Sequence, residues 1–277
     1  DLAPVTKLFD VHAPAVAEKA RAGQFVIIRL HEEGERIPLT IADYDRERGT
    51  ITLVVQEVGK TTMEMGIMQA GEHLASLTGP LGIPSEIENW GTVLCVGGGV
   101  GIAPIYPIAR DLKEAGNTVI SIIGARNKDL LFWEEKMRAI SDELIVCTDD
   151  GSYGRKALVT IPMKELLESE HPIEHIWAIG PAIMMKFCAL TTQPFGVHTI
   201  VSLNSIMVDG TGMCGACRVE VGGQTRFVCV DGPEFDGHQV DWDQLLARQR
   251  IYPEQEQHAV EKWQHECQCG SNGDNDV

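Results

Sequence analysis

The chain has 277 residues, 44% hydrophobic and 23% charged, a balance that allows two packed domains of ordinary size and a small third. Its net charge of −17 repels phosphate backbones and anionic lipid surfaces, which sets aside nucleic acid and membrane headgroups as partners. No apolar run approaches the roughly 18 residues a membrane span needs, and Asp1-Leu2-Ala3-Pro4 does not read as part of a signal peptide.

The first ninety residues read as short β-segments. Gln24–Leu30 and Thr50–Val55 are rich in β-branched residues, with Gly34-Glu35-Arg36 and Arg48-Gly49 as punctuation, so residues 1–90 predict a small antiparallel barrel. From Trp90 the pattern changes. Thr92–Val96 is an apolar run of the buried-strand type, followed by Gly97-Gly98-Gly99-Val100-Gly101 and a helical stretch to about Ala115. Strands at Thr118–Ile123, Leu144–Cys147 and His175–Ile179 alternate with helices near Phe132–Ile140, Ile161–Glu168 and Ala182–Leu190. Such alternation makes residues 91–198 an α/β domain with a parallel sheet.

Glycines then gather around cysteines in residues 199–250. Strands are expected at Arg218–Val221 and Arg226–Val230 about a Gly222-Gly223 turn, and a helix near Trp242–Arg248. Residues 251–277 read as a polar helix near Pro253–His265 and a solvated tail from Gly270.

Asp209, Cys214, Cys217 and Cys229 form D-x4-C-x2-C-x11-C. Plant-type 2Fe–2S sites use C-x4-C-x2-C…C, with an aspartate here in the first position. Gly210, Gly212 and Gly215 supply the backbone freedom that a loop wrapped around two irons needs. Zinc, which favours C-x2-4-C pairs or one such pair with histidines, is a weaker match because only Cys214/Cys217 has that spacing and the nearest histidine downstream is His238. Buried structural thiols are the third reading, and a turn role for Asp209 stands beside ligation. The eight cysteines are not spaced as a disulfide framework, so a reducing, cytoplasmic setting is expected. Cys267 and Cys269 read as spare thiols; a second metal site there would need ligands such as His258 or His265.

A 2Fe–2S cluster moves single electrons and a hydride moves two, so a nicotinamide site beside the cluster predicts a flavin. Gly99, Val100 and Gly101 lie between strand and helix, where backbone amides meet a diphosphate, and Gly180-Pro181 repeats that strand-to-helix context. On the barrel, Pro38, Leu39 and Thr40 stand beside a strand, and Gly59, Thr61 and Thr62 stand at an expected helix start. Thr40 is the candidate hydrogen-bond partner of the flavin, because hydride transfer needs positioning more than an acid or base.

The motifs IPLTIAD (37–43), GPLG (79–82), GGGVGIAP (97–104), GARNKDLLFWEEKM (124–137), MVDGTGMCGACRV (207–219) and CVDGPEFDGHQVDWD (229–243) resemble the ferredoxin–NADP reductase superfamily. Within it the chain resembles electron-transfer subunits of dihydroorotate dehydrogenase B. It also resembles the FAD/2Fe–2S small subunits of NADH-dependent reduced ferredoxin:NADP oxidoreductases, known too as sulfide dehydrogenase subunits. The aspartate at 209 points to the second group. The resemblance implies FAD held by Pro38, Leu39, Thr40, Gly59, Thr61 and Thr62, and NAD(H) held by Gly99, Val100 and Gly101. Ile37 stands where the family has a basic residue, so Arg36 is not carried over as a phosphate ligand. The resemblance further implies a heterodimer with a larger FAD/4Fe–4S subunit, with ferredoxin reached through it and electron bifurcation as the activity. A dihydroorotate dehydrogenase or sulfide dehydrogenase complex, and a non-catalytic reductase-fold module, are the alternatives. Arg126 and Lys128, beside Asp129, leave NAD versus NADP open.

Overall fold

A computed structural model describes residues 1–169 and 172–271, with side chains to residue 265. The side chains of Cys267 and Cys269, and the tail from residue 272, lie outside the described residues. The N-terminal region runs β1 (Thr6–His12), α1 (Pro14–Lys19), β2 (Phe25–Arg29), β3 (Ile37–Asp45), β4 (Thr50–Gln56), α2 (Lys60–Gly66) and β5 (Ser76–Leu81). Its strands form an antiparallel sheet in the order β1-β4-β3-β2-β5. Register shifts between Phe25 and Ile27 and between Ile41 and Asp43 bend the sheet around a core of Val26, Ile28, Ile41, Ile51, Leu53, Val55 and Met65. Sequence patterning marks β2 and β4 but not β3 and β5. Pro38 and Pro80 sit inside those two strands, and proline ordinarily argues against a strand.

The second region runs β6 (Thr92–Gly98), α3 (Ile102–Glu114), β7 (Thr118–Ala125), α4 (Glu134–Ile140), β8 (Glu143–Thr148), β9 (Arg155–Lys156), α5 (Thr160–Glu168), β10 (His175–Ile179), α6 (Ala182–Thr192) and β11 (His198–Ser202). Alternation along the strands splits the apolar side chains between two helical layers. Val93, Cys95, Val119, Ile123 and Trp177 face α3 and α4 through Ile105, Ile108, Leu112 and Met137. Leu94, Val96, Ile122, Ile176 and Ala178 face α5 and α6 through Met163, Met185 and Cys188. Burial on both faces is why these strands read as continuous apolar runs.

The C-terminal region adds β12 (Arg218–Val221), β13 (Gln224–Phe227), α7 (Val228–Asp231), β14 (Glu234–Asp236), α8 (Trp242–Gln249) and α9 (Pro253–Ser271). The strand expected at 226–230 stops at Phe227, and Val228–Asp231 is a turn of helix instead. The large sheet has the order β14-β11-β10-β6-β7-β8-β9, so it takes in strands on both sides of residue 199. β14 runs antiparallel to β11, pairing Glu234 with Ser202. Among the described residues no helix is long and apolar enough to cross a membrane.

Candidate functional site

The large sheet first grows from β6 toward β9, then returns to the other side of β6 with β10. β6 and β10 therefore flank a topological switch point, where open α/β sheets bind ligands beyond the strand ends. Gly99–Gly101 leave the end of β6, and Gly180-Pro181 leave the end of β10. Gly99 has φ +55°, and a Cβ there would meet nothing within 4 Å, so the turn opens outward. Gly101 is needed for the opposite reason: a Cβ would lie 2.2 Å from the Ile179 carbonyl oxygen. Met184 on α6 packs against both Gly98 and Gly180. Val100 is partly exposed at 36%. The turn is thus open on its outer side at Gly99 and closed against backbone at Gly101.

The barrel leans on the same region. β3 packs along α3, and β4 touches the Gly99–Gly101 turn. Asp43 on β3 accepts hydrogen bonds from Arg110 on α3 at 2.6 Å and from Lys136 on α4 at 3.1 Å. Both partners are only partly buried, so the pairs set orientation more than stability.

Pro38, Leu39 and Thr40 pair with Ile27, Val26 and Phe25 of β2. Ile37 and Leu39 pack on the barrel core, which puts Pro38 and Thr40 on the opposite face. Thr40 is half-buried, and its hydroxyl makes no hydrogen bond among the described residues. The hydroxyls at the start of α2 are already engaged. Thr62 Oγ1 accepts from the N–H groups of Val58 and Gly59 at 3.1 and 3.0 Å, and the Thr61 hydroxyl donates to the Glu35 carboxylate. Thr62 thus shapes its own turn. The Thr61–Glu35 contact shows a hydroxyl donor already satisfied by an anionic oxygen, the kind a diphosphate supplies.

The cysteine loop lies on this barrel. Gly210 has φ +76°, and a Cβ there would come within 2.7 Å of Ile27 and Leu81 side chains. Ile27 is the register partner of Pro38, so one strand separates the loop from the Pro38–Thr40 segment. Gly212 and Gly215 also adopt positive φ, as the loop reading requires. Cys217 and Cys229 are both 2% exposed, with sulfurs 3.3 Å apart. Burial, and then the neighbouring Cys217, push the Cys229 thiol up to about 12. Cys214 is exposed. Asp209 caps the loop, its carboxylate accepting from Thr211 N–H at 3.0 Å and Cys214 N–H at 3.1 Å. The Thr211 N–H is the main influence holding that carboxyl below its usual range. Among the described residues no three His, Cys, Asp or Glu side chains converge on one point. The structure therefore brings Cys217 and Cys229 together and leaves Cys214 and Asp209 at the loop's outer edge.

A buried thiol, an exposed thiol and a carboxylate on one glycine-rich turn, with the buried Cys229 of α7 beside them, fit an iron–sulfur cluster by the softness and number of their donors. Sequence reasoning missed the loop's support. Arg248 on α8 donates to the Ala216 carbonyl at 3.0 Å, between the two close cysteines. Nothing local in the sequence marks an arginine 31 residues past Cys217 as part of that loop.

A barrel, a switch-point crevice and a thiol loop within one strand of the barrel motif define a pyridine-nucleotide-linked electron-transfer oxidoreductase subunit. Residues 204–241 match the family described as the iron–sulfur cluster binding domain of dihydroorotate dehydrogenase B, and residues 95–189 match the oxidoreductase NAD-binding domain. The chain is 57% identical over 255 residues to the dihydroorotate dehydrogenase B (NAD(+)) electron transfer subunit homolog of Thermotoga maritima, covering 92% of this chain and 90% of that one. It is 34% identical to the electron transfer subunit from Geobacillus thermodenitrificans, over 81% of this chain and 88% of that one. A solved structure of an NADH-dependent reduced ferredoxin-NADP oxidoreductase, studied for flavin-based electron bifurcation, superposes with TM-score 0.90 at 55% identity, covering 95% of both chains. The chain belongs to the family of dihydroorotate dehydrogenase B electron-transfer subunits and their homologs.

Proposed function

We propose that this chain relays electrons between NAD(H), FAD and a 2Fe–2S cluster as the small subunit of a heterodimer, in a bifurcating NADH-dependent ferredoxin:NADP oxidoreductase. The observation that carries the reading is the seating of Gly210 on Ile27 and Leu81, which puts the cluster loop one strand from Pro38. The nucleotide turn meets the same barrel through β4. When bound, FAD converts two-electron hydride chemistry into the single-electron steps an iron–sulfur cluster carries.

In this reading Gly99, Val100 and Gly101 receive the nicotinamide nucleotide, with Gly180 shaping the crevice wall. Pro38 and Thr40 face the flavin, and Thr40 offers it a hydroxyl. Gly59 and Thr61 border the diphosphate, while Leu39 and Thr62 support the backbone that does so. Cys217 and Cys229 anchor the cluster from inside, and Cys214 and Asp209 complete it from the loop edge. For Asp209 this means giving up at least part of its cap to Cys214 N–H. The exposed apolar side chains Met213 (88%), Val208 (47%) and Val230 (40%) surround that edge and suit a partner protein bound over Cys214. The partner of the proposal is a larger subunit carrying FAD and 4Fe–4S clusters, with ferredoxin as its substrate and the cytoplasm as its setting.

Anaerobic purification from the native source tests the reading. The expected preparation contains FAD, iron and acid-labile sulfide in this chain, together with a larger flavoprotein. A chain that carries flavin yet neither iron nor sulfide overturns it.

A further inference from the structure

Glu234 is a carboxylate that the electron relay does not use. It lies in β14, five residues after Cys229, at the junction of all three regions. Its Oε1 accepts from the Ser85 hydroxyl at 2.5 Å, in the segment that leaves the barrel, and its Oε2 accepts from Trp177 Nε1 at 3.3 Å, in β10. Glu234 keeps some surface as a residue, but its carboxyl meets groups that have almost none: Ser85 is 4% exposed and Trp177 is 0%. Gly23 faces it too, since a Cβ there would lie 3.0 Å from Oε1 and 2.2 Å from the Ser85 hydroxyl. The backbone on either side carries the same tie. Ile83 N–H donates to the Gly232 carbonyl at 2.6 Å, and Leu203 N–H donates to the Pro233 carbonyl at 2.9 Å.

We propose that Glu234 is a positioning residue for electron transfer, its carboxyl binding the strand after Cys229 to the barrel through Ser85 and to the nucleotide sheet through Trp177. The inference rests on the electron-relay reading, because it assigns what holds the cluster loop in place over the barrel. Among the described residues no cation pairs with Glu234. The titratable group facing it from β6 is Cys95, whose own thiol is pushed up by burial and stays neutral at ordinary pH. β11 contributes Ser202, and β10 contributes Trp177. Burial pushes the Glu234 carboxyl up to about 7, against the two hydrogen-bond donors that favour its charged form. Below the usual carboxylate range Glu234 is neutral whether the junction is closed or open. As pH rises from about 4.5 toward about 7 the open form ionises first, so closure weakens across that window and changes no further above it.

The test uses the full chain, as purified and loaded with its cofactors. Hydrogen–deuterium exchange is followed in peptides covering Ile83 and Leu203, as protection relative to intrinsic rates. In Glu234→Ala, protection is expected to fall about tenfold or more, the loss of one or two hydrogen bonds. Glu234→Gln keeps the shape and one acceptor. It should retain most of the protection and lose the pH dependence between about 4.5 and 7. In stopped flow, NADH should reduce the flavin of Glu234→Ala at the wild-type rate, while the iron–sulfur signal lags about tenfold and Gln restores it. Should Glu234→Ala fail to fold, Ser85→Ala removes one donor and is expected to show the same lag in smaller measure. Unchanged protection at Ile83 and Leu203 in a folded variant overturns the proposal, as does a Gln variant with the wild-type pH profile. A wild-type chain that holds no iron or flavin instead overturns the relay reading, so the two failures are distinct.

Discussion

The two glycine-rich segments of this molecule solve different problems. Gly97–Gly101 is made by packing: Gly98 and Gly180 accommodate Met184, and Gly101 approaches Ile179 more closely than any side chain allows. Core packing beneath that turn fixes its shape. The loop from Asp209 to Cys217 is built from left-handed turns, a carboxylate cap and an exposed cysteine. Asp209, Cys214 and Cys217 share that segment while Cys229 comes from α7, and no three of them converge among the described residues. A phosphate cradle consists of backbone and can be preformed by the core beneath it. A cluster site consists of side chains whose final arrangement the metal itself imposes.

Removing the inner thiols is expected to have the largest effect. Cys217→Ala and Cys229→Ala should each abolish iron retention while leaving NADH binding intact, as measured by iron analysis and nucleotide titration. Loss of both properties would mean that the two segments are not independent. Gly101→Ala tests the other side. Its Cβ would meet the Ile179 carbonyl at 2.2 Å, so overpacking should cost about 1–3 kcal/mol. Thermal unfolding should report that loss, and NADH affinity should fall while iron content holds. Asp209 gives a graded effect. Asp209→Cys should keep a cluster at a shifted midpoint potential, and Asp209→Ala should weaken retention. Equal iron content and potential in both variants would leave Asp209 a loop cap only. The smallest effect is expected from Arg248→Ala, which removes one hydrogen bond to Ala216 and should cost about 1 kcal/mol. Faster iron loss to a chelator is the measurement, with the nucleotide crevice unaffected.

Much of this layout is legible in the sequence because its signals are local. The apolar runs at 92–96, 118–123 and 175–179 are buried on both faces, and such strands announce themselves. The cysteine spacing and the glycine turns are likewise contained in short windows. What stays hidden depends on distant partners. β14 is three residues long and is a strand only because β11 lies beside it. Pro38 and Pro80 occupy strands that propensity alone rejects, and the register with β2 and the bends in the sheet accommodate them. Cys229 reads as part of a hairpin strand, but the chain turns helical at Val228, which brings its sulfur against Cys217. Leu39 and Thr62, expected beside a flavin, have side chains packed on the barrel core and hydrogen-bonded within a turn, which depends on partners outside their own motifs. Glu234 and Arg248 carry no local signal at all, since each acts on residues tens of positions away.

In the proposed relay the cysteine loop receives electrons through a flavin held on the barrel beneath it. Anaerobic mixing of the loaded chain with NADH, followed together at flavin and iron–sulfur wavelengths and by electron paramagnetic resonance, tests it directly. Flavin bleaching followed by the signal of a reduced 2Fe–2S cluster is the predicted result. A cluster that is present, reducible by dithionite and yet silent to NADH while the flavin bleaches would contradict it.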